Sequence, residues 1–177
     1  MFYNVTARFD RAAEIQTESL MSTKENFLVM IADDSEGDRL LFKNALRRAS
    51  KLQLIREAAT GDEVVEYLEG QGNFSNRNEF PVPDLLLLDL KMPRKDGFEV
   101  LQWLKGRSFE SLTVVVLTDS MHPEHIKRAL DLGADLFQVK PVANRDREAM
   151  VIALETYMLN AATAPLAHLA VSANPAA

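Results

Sequence analysis

Of the 177 residues none is cysteine. That excludes disulfides, thiolate nucleophiles and zinc–thiolate sites. No apolar run approaches the ~20 residues of a membrane-spanning helix, so no membrane partner is expected. The N-terminus lacks a basic start followed by an apolar stretch, so no signal peptide is read. Positive charge is also short. Twenty Lys and Arg against 26 Asp and Glu leave a net charge of −6, which argues against nucleic-acid or membrane-surface binding by charge. A cytoplasmic protein is the expectation. What is present suffices for one core: 47% of the chain is hydrophobic, and the length suits one domain with tails.

The strongest stretch runs from Pro83 to Gly97. Leu85 to Leu88 form an apolar run that reads as a strand buried on both faces, with Asp89 directly after it. Phe27 to Ala32 read as another buried strand, ending in Asp33-Asp34-Ser35. Ser35 and Asp38 resemble a helix-capping pair, and Leu40, Leu41, Ala45, Leu46 and Ala49 mark the helix that follows. Leu52 to Ala58 predict a strand near an edge. Thr60 to Glu63 form a capping box for a helix bearing Val64, Val65, Tyr67 and Leu68. Gly70 to Pro83 is a long, polar loop that Phe74 and Phe80 are expected to pin.

Asp96 and Glu99 cap a third helix, with Phe98, Val100, Leu101, Trp103 and Leu104 inward. Leu112 to Leu117 predict a second fully buried strand, ending in Thr118. Pro123 starts a helix carrying Ile126, Ala129, Leu130 and Leu132, and Gly133 stops it. Leu136 to Val139 predict a fifth strand, closed by Lys140-Pro141. Asn144 is the expected cap of a last helix with Met150, Val151, Leu154, Tyr157 and Met158. Residues 1–25 form either a short amphipathic helix (Phe2, Val5, Phe9, Ala12, Ala13) or a frayed extension, and Met21 is a second candidate start. Residues 160–177 read as a tail, with Ala161, Leu166, Leu169 and Val171 as its apolar positions. The folded domain is expected over 26–159.

Five strand–helix alternations imply a five-stranded parallel sheet, doubly wound, in an α/β domain. Its carboxyl edge then gathers Asp33, Asp34, Asp89, Thr118 and Lys140 into one crevice. Three carboxylates cannot stay ionised side by side without compensation. One Mg2+ and one lysine balance them, and oxygen-only ligands select a hard cation. A carboxylate so placed is set up as a nucleophile or an acceptor of phosphoryl groups. His122 and His125 lie at i, i+3 without further ligands nearby, so no metal site is expected there.

These residues, with the loop Asp89-Leu90-Lys91-Met92-Pro93-Arg94-Lys95-Asp96-Gly97, resemble the response-regulator receiver domain of two-component signalling. The resemblance covers roughly Phe27 to Tyr157. It implies a flavodoxin-like fold with strand order 2-1-3-4-5. It implies that Asp89 is the phosphoacceptor, served by a histidine kinase or a phosphotransfer protein. Asp34 and Asp89 would bind Mg2+ directly, Asp33 through water and Lys91 through its backbone carbonyl. Lys140 would pair with phosphoryl oxygens, its bond to Pro141 being cis. Thr118 and Phe137 would be the switch pair, acting on a face made by the fourth helix, fifth strand and fifth helix. No enzyme activity beyond its own phosphorylation and dephosphorylation is implied.

Asp119 stands where the family often keeps a small residue, and Lys91 and Ser120 occupy its two variable flanking positions. The few residues after the last helix leave no room for an effector domain, which points to a stand-alone receiver. The Gly70–Pro83 loop and the phrasing around Asp89 and Thr118 look most like regulators that partner bacteriophytochrome-type kinases. Such a protein often forms a homodimer; its downstream protein target is not specified by the sequence. Two other classes stay open. An aspartate-nucleophile phosphatase usually has a second aspartate where this chain has Lys91. A phosphorylation-independent interaction module on the same scaffold is the other.

Overall fold

Side chains alternate across a strand, so a strand apolar at every position needs cover on both faces. The computed structural model, which describes residues 24–109, 111–119 and 122–163, provides that cover. Its strands are β1 (Phe27–Ala32), β2 (Leu52–Ala58), β3 (Leu85–Asp89), β4 (Thr113–Thr118) and β5 (Leu136–Val139). They alternate with helices α1 (Glu36–Leu46), α2 (Gly61–Glu69), α3 (Gly97–Leu104), α4 (Pro123–Asp131) and α5 (Asn144–Thr163). All pairings are parallel, in the order β2-β1-β3-β4-β5. Chain direction across the sheet reverses between β1 and β3, which opens a crevice at their carboxyl ends.

Every residue of β3 is buried. Leu85 and Leu87 join Val29, Ile31, Val115 and Leu117 under α1 and α5, while Leu86 and Leu88 join Met30, Ala32, Val114 and Val116 under α2, α3 and α4. This two-sided burial makes the strand ends rigid points from which polar groups project. The β2 edge is bulged: Val29 pairs with Leu54 but Met30 pairs with Arg56, so Ile55 is skipped. The extra residue turns the Arg56 guanidinium over the Phe74 ring, 4.9 Å from its centroid.

The long loop after α2 is a built element. Phe74 and Phe80 pack edge to face at 5.2 Å, and Tyr67 meets Phe74 at 5.1 Å. Arg77 donates to the carbonyls of Tyr67, Leu68 and Phe80, satisfying the end of α2 where Gly70 takes a left-handed turn at φ 65°. The expected aromatic pins are thus present, and Arg77 joins them.

Several expectations need correction. Leu40 is 55% exposed, whereas Phe42 is fully buried. Phe42, Ala45, Leu46 and Ala49 form the i, i+3, i+4, i+7 stripe, and Leu40 lies off it. Leu130 and Tyr157 are likewise outward, beside the buried Ala129 and Met158. Glu63 accepts from the Ala59 N–H rather than from Thr60, so the box at α2 is displaced by one residue. Asn144 is the first helical residue of α5, not its cap; its Oδ1 accepts from Arg147 instead. α5 continues to Thr163, past the expected start of the tail, with residues 160–162 exposed. The readings of Phe2, Val5, Phe9, Ala12, Ala13, Met21, Leu166, Leu169 and Val171 lie outside the described residues.

Candidate functional site

Four strand ends build the site. Asp89 is the last residue of β3, and Asp33 follows β1, its N–H donating to Ala58 O at 3.0 Å. Thr118 ends β4, buried, and its carbonyl accepts the N–H of Lys140 at 2.8 Å. That bond sets the backbone of Lys140 beside β4 just as β5 stops.

The loop after Asp89 is held under it. A Cβ on Gly97 would stand 2.3 Å from Asp89 O and 2.8 Å from Leu90 Cα, so only glycine lets α3 begin so close. The same loop is stapled to the start of α2. Gly61 N–H donates to Lys95 O at 3.1 Å. Arg94 adopts φ 66°, a conformation that costs a non-glycine residue about 1 kcal/mol. Its guanidinium offsets that by donating to Thr60 Oγ1 at 2.9 Å and facing Asp62 and Glu63.

The charges converge as the topology requires. Lys140 Nζ lies 2.9 Å from Asp33 Oδ2, 3.3 Å from Asp38 Oδ2 and 3.4 Å from Asp89 Oδ1. Asp89 Oδ2 accepts the Lys91 N–H at 3.2 Å, and Asp33 Oδ1 accepts the Ser35 N–H at 2.9 Å. Burial pushes the Asp89 carboxyl up to about 6; Lys140 opposes this and the Asp33 charge adds to it. Burial also raises Asp33, against the pull of Lys140. For Lys140, burial alone would lower the ammonium, but Asp33, Asp89 and Asp38 outweigh it and hold it above the ordinary lysine value.

Carboxylate oxygens of Asp33, Asp34 and Asp89 lie within 4.8 Å of one another, Asp34 at the exposed mouth and the other two buried. The buried Asp33 Oδ2 has the Lys140 charge beside it but no donor in hydrogen-bond geometry. With Asp38, three carboxylates face one ammonium, and Asp34 adds a fourth negative charge at the mouth. An all-oxygen, electron-rich set with an unsatisfied buried oxygen fits a hard divalent cation. It is the only such acidic or histidine cluster among the described residues; His122 and His125 stack at 5.3 Å without joining one.

Asp33, Asp34, Asp89, Thr118 and Lys140 are therefore gathered at one edge. Lys91 is exposed in the loop and touches Asp89 through its N–H. Phe137 is half-buried on β5, packed against the core beneath α2, α3 and α4. Asp119 is exposed, and Ser120 lies outside the described residues. The Lys140–Pro141 bond is trans, since no cis peptide occurs among the described residues. Trans is the intrinsically favoured isomer by about 0.5–1 kcal/mol, and in it Lys140 already reaches three carboxylates. Asp38 was missed as a site residue because its pairing with Ser35 reads as a cap alone. Its signal was position: side chains lean toward a helix N-terminus, so a carboxylate one turn into α1 leans back over the strand end.

Residues 29–152 match the response regulator receiver domain family. The response regulator Rcp1 of Synechocystis sp. is 30% identical over 144 residues, covering 79% of this chain and 94% of Rcp1. The Mn2+-bound structure of Rcp1 superposes with a TM-score of 0.67 over 78% of this chain and 99% of that one. The phosphorylated cyanobacterial phytochrome response regulator RcpA, 29% identical, gives 0.70 over 79% and 99%. RPA3017, a response regulator in red light signaling of R. palustris, is 30% identical and gives 0.69 over 79% and 99%.

Proposed function

Because this chain belongs to the response regulator receiver domain family, we propose that it is a single-domain response regulator whose Asp89 accepts a phosphoryl group from a phosphohistidine. The observation that carries this reading is the buried Asp89 sharing Lys140 with Asp33 at the end of a central strand. In the transfer, an Asp89 carboxylate oxygen bonds to phosphorus and the phosphorus–nitrogen bond breaks. The imidazole leaves with the electron pair and stays neutral by taking or retaining a proton. Asp89 needs no base, since its carboxylate is ionised above about pH 6.

Asp33, Asp34 and Asp89 would hold Mg2+, with the Lys91 carbonyl as a further ligand. Such an ion supplies positive charge to the phosphoryl oxygens. Lys140 neutralises the same oxygens from the other side. The Thr118 hydroxyl turns toward the new phosphoryl group and Phe137 turns inward after it. The face of α4, β5 and α5 thereby changes shape for a downstream protein target. Tyr157 is exposed on α5, on the flank that meets Asp135 just before β5, which supports a homodimer through that face.

Likeness to RcpA and RPA3017 supports a kinase of the bacteriophytochrome type as donor, directly or through a phosphotransfer protein. A second reading, an interaction module that works without phosphorylation, is favoured by Asp119, an exposed carboxylate beside Thr118. Incubation with Mg2+ and phosphoramidate, followed by intact mass, separates the two. One phosphoryl adduct that requires Mg2+ and disappears in Asp89→Asn is expected. A folded protein that binds Mg2+ and takes no phosphoryl group from phosphoramidate or a phosphorylated kinase would leave the second reading.

A further inference from the structure

Arg147 is the anomaly of the interior. It is 4% exposed, and among the described residues no carboxylate pairs with it. A buried cation without a counter-charge costs several kcal/mol, about what an apolar side chain of the same length would save. Its contacts show what the arginine does in return. Nη2 donates to the carbonyl of Pro141 at 2.6 Å, and Nη1 donates to Asn144 Oδ1 at 2.8 Å. Nε is buried with no acceptor. The guanidinium lies 5.3 Å from the Phe42 ring centroid.

These partners belong to the segment that presents Lys140. Pro141 directly follows it, and Asn144 opens α5. Phe42 is on α1, one turn beyond Asp38, which holds the Lys140 ammonium. Upstream, the Lys140 N–H is fixed by Thr118 O. Downstream, the described hydrogen bond to the Pro141 carbonyl is the one from Arg147. The β5–α5 turn is thus tied at its entry by β4 and at its exit by Arg147.

We propose that Arg147 is a positioning residue that keeps Lys140 seated on Asp33 and Asp89. It touches neither carboxylate; it acts through the Pro141 carbonyl. Planar, forked donors reach the carbonyl and the Asn144 side chain from two nitrogens in fixed geometry, whereas lysine has a single nitrogen on a shorter, flexible stem. Only the consequence for phosphoryl transfer rests on Asp89 being the acceptor; the seating itself does not.

The test uses Arg147→Met, which keeps length and apolar packing but removes every donor, and reads Lys140 directly. Metal-free protein is treated with an acetylating N-hydroxysuccinimide ester and peptide masses are followed, with Lys127 as the surface reference. Acetylation of Lys140 should rise at least about fivefold relative to Lys127, because a lysine released from two buried carboxylates gains solvent. Phosphoryl uptake should fall about tenfold, and Arg147→Met should add no further loss in a Lys140→Ala background. Unchanged Lys140 labelling in the folded variant overturns the proposal, as does an equal loss of uptake in the Lys140→Ala background. Should Arg147→Met not fold, Arg147→Lys is read by the same labelling. A rise of about twofold is expected from one lost donor, and no rise overturns the proposal. Wild-type protein that takes no phosphoryl group would contradict the role of Asp89 while leaving the labelling test intact.

Discussion

Asp84 and Asp89 flank the same buried strand, five residues apart, and both are almost inaccessible. Asp84, at the amino edge, accepts the Leu28 N–H at 2.8 Å and is the one carboxylate among the described residues that pairs with Lys24. Asp89, at the carboxyl edge, shares one ammonium with Asp33 and Asp38 and is pushed up to about 6 by burial. A satisfied buried carboxylate stabilises the fold. A contested one is held at a cost, and such groups gather where chemistry is done. The amino edge of the sheet is closed by Asp84, Arg77 and the Phe74–Phe80 pair; the carboxyl edge is left with excess negative charge.

The largest expected difference is functional. Asp89→Asn should abolish phosphoryl uptake, whereas Asp84→Asn should leave its rate within about twofold, because Asp84 is remote from the reacting oxygens. Loss of uptake in folded Asp84→Asn protein would break the comparison. Stability should then move in opposite directions, as urea unfolding in chelator would report. Asp84→Ala should cost about 1–3 kcal/mol, leaving the half-buried Leu28 N–H unpaired. Asp89→Asn should stabilise metal-free protein by up to about 3 kcal/mol at pH 8.

The sign of that second effect follows from the raised carboxyl. Below pH 3.8 Asp89 is protonated folded and unfolded and contributes nothing. Between there and about 6 the unfolded chain loses its proton first, so stability falls as pH rises. Above about 6 the penalty is constant. The slope contributed by Asp89 should vanish in Asp89→Asn; an unchanged profile would mean that Asp89 is not strained.

Asp38→Asn is a smaller perturbation. It removes one competitor for Lys140 and one negative charge from the mouth, so uptake from anionic phosphoramidate should rise about two- to fivefold at saturating Mg2+. Smallest of all is Asp119→Ala. An exposed carboxylate is well screened, so uptake and decay should each change by no more than about twofold.

Much of this contrast was legible in the sequence. Leucines at four consecutive positions, with acids after two apolar runs, set the sheet and its crevice, and Asp33, Asp34, Asp89, Thr118 and Lys140 were found from strand ends alone. Residues whose role depends on another element were not. Phe42 was overlooked because Leu40 and Leu41 drew the helix stripe, and Asp38 because capping explained it. Arg77 reaches carbonyls at the end of α2 and in the loop after it, Arg147 reaches one in the β5–α5 turn, and no periodicity marks such bonds. The trans bond before Pro141 is a choice between isomers about 1 kcal/mol apart, which local sequence does not decide.

On the function proposed above, the contested carboxylate, and no other in the acidic cluster, takes the phosphoryl group. Borohydride reduces an acyl phosphate to an alcohol, so treating phosphorylated protein and sequencing its peptides by mass spectrometry locates the acceptor. Conversion at position 89 alone is the predicted result. Conversion at Asp33, Asp34, Asp38 or Asp119 with position 89 intact would rule out Asp89 as the acceptor.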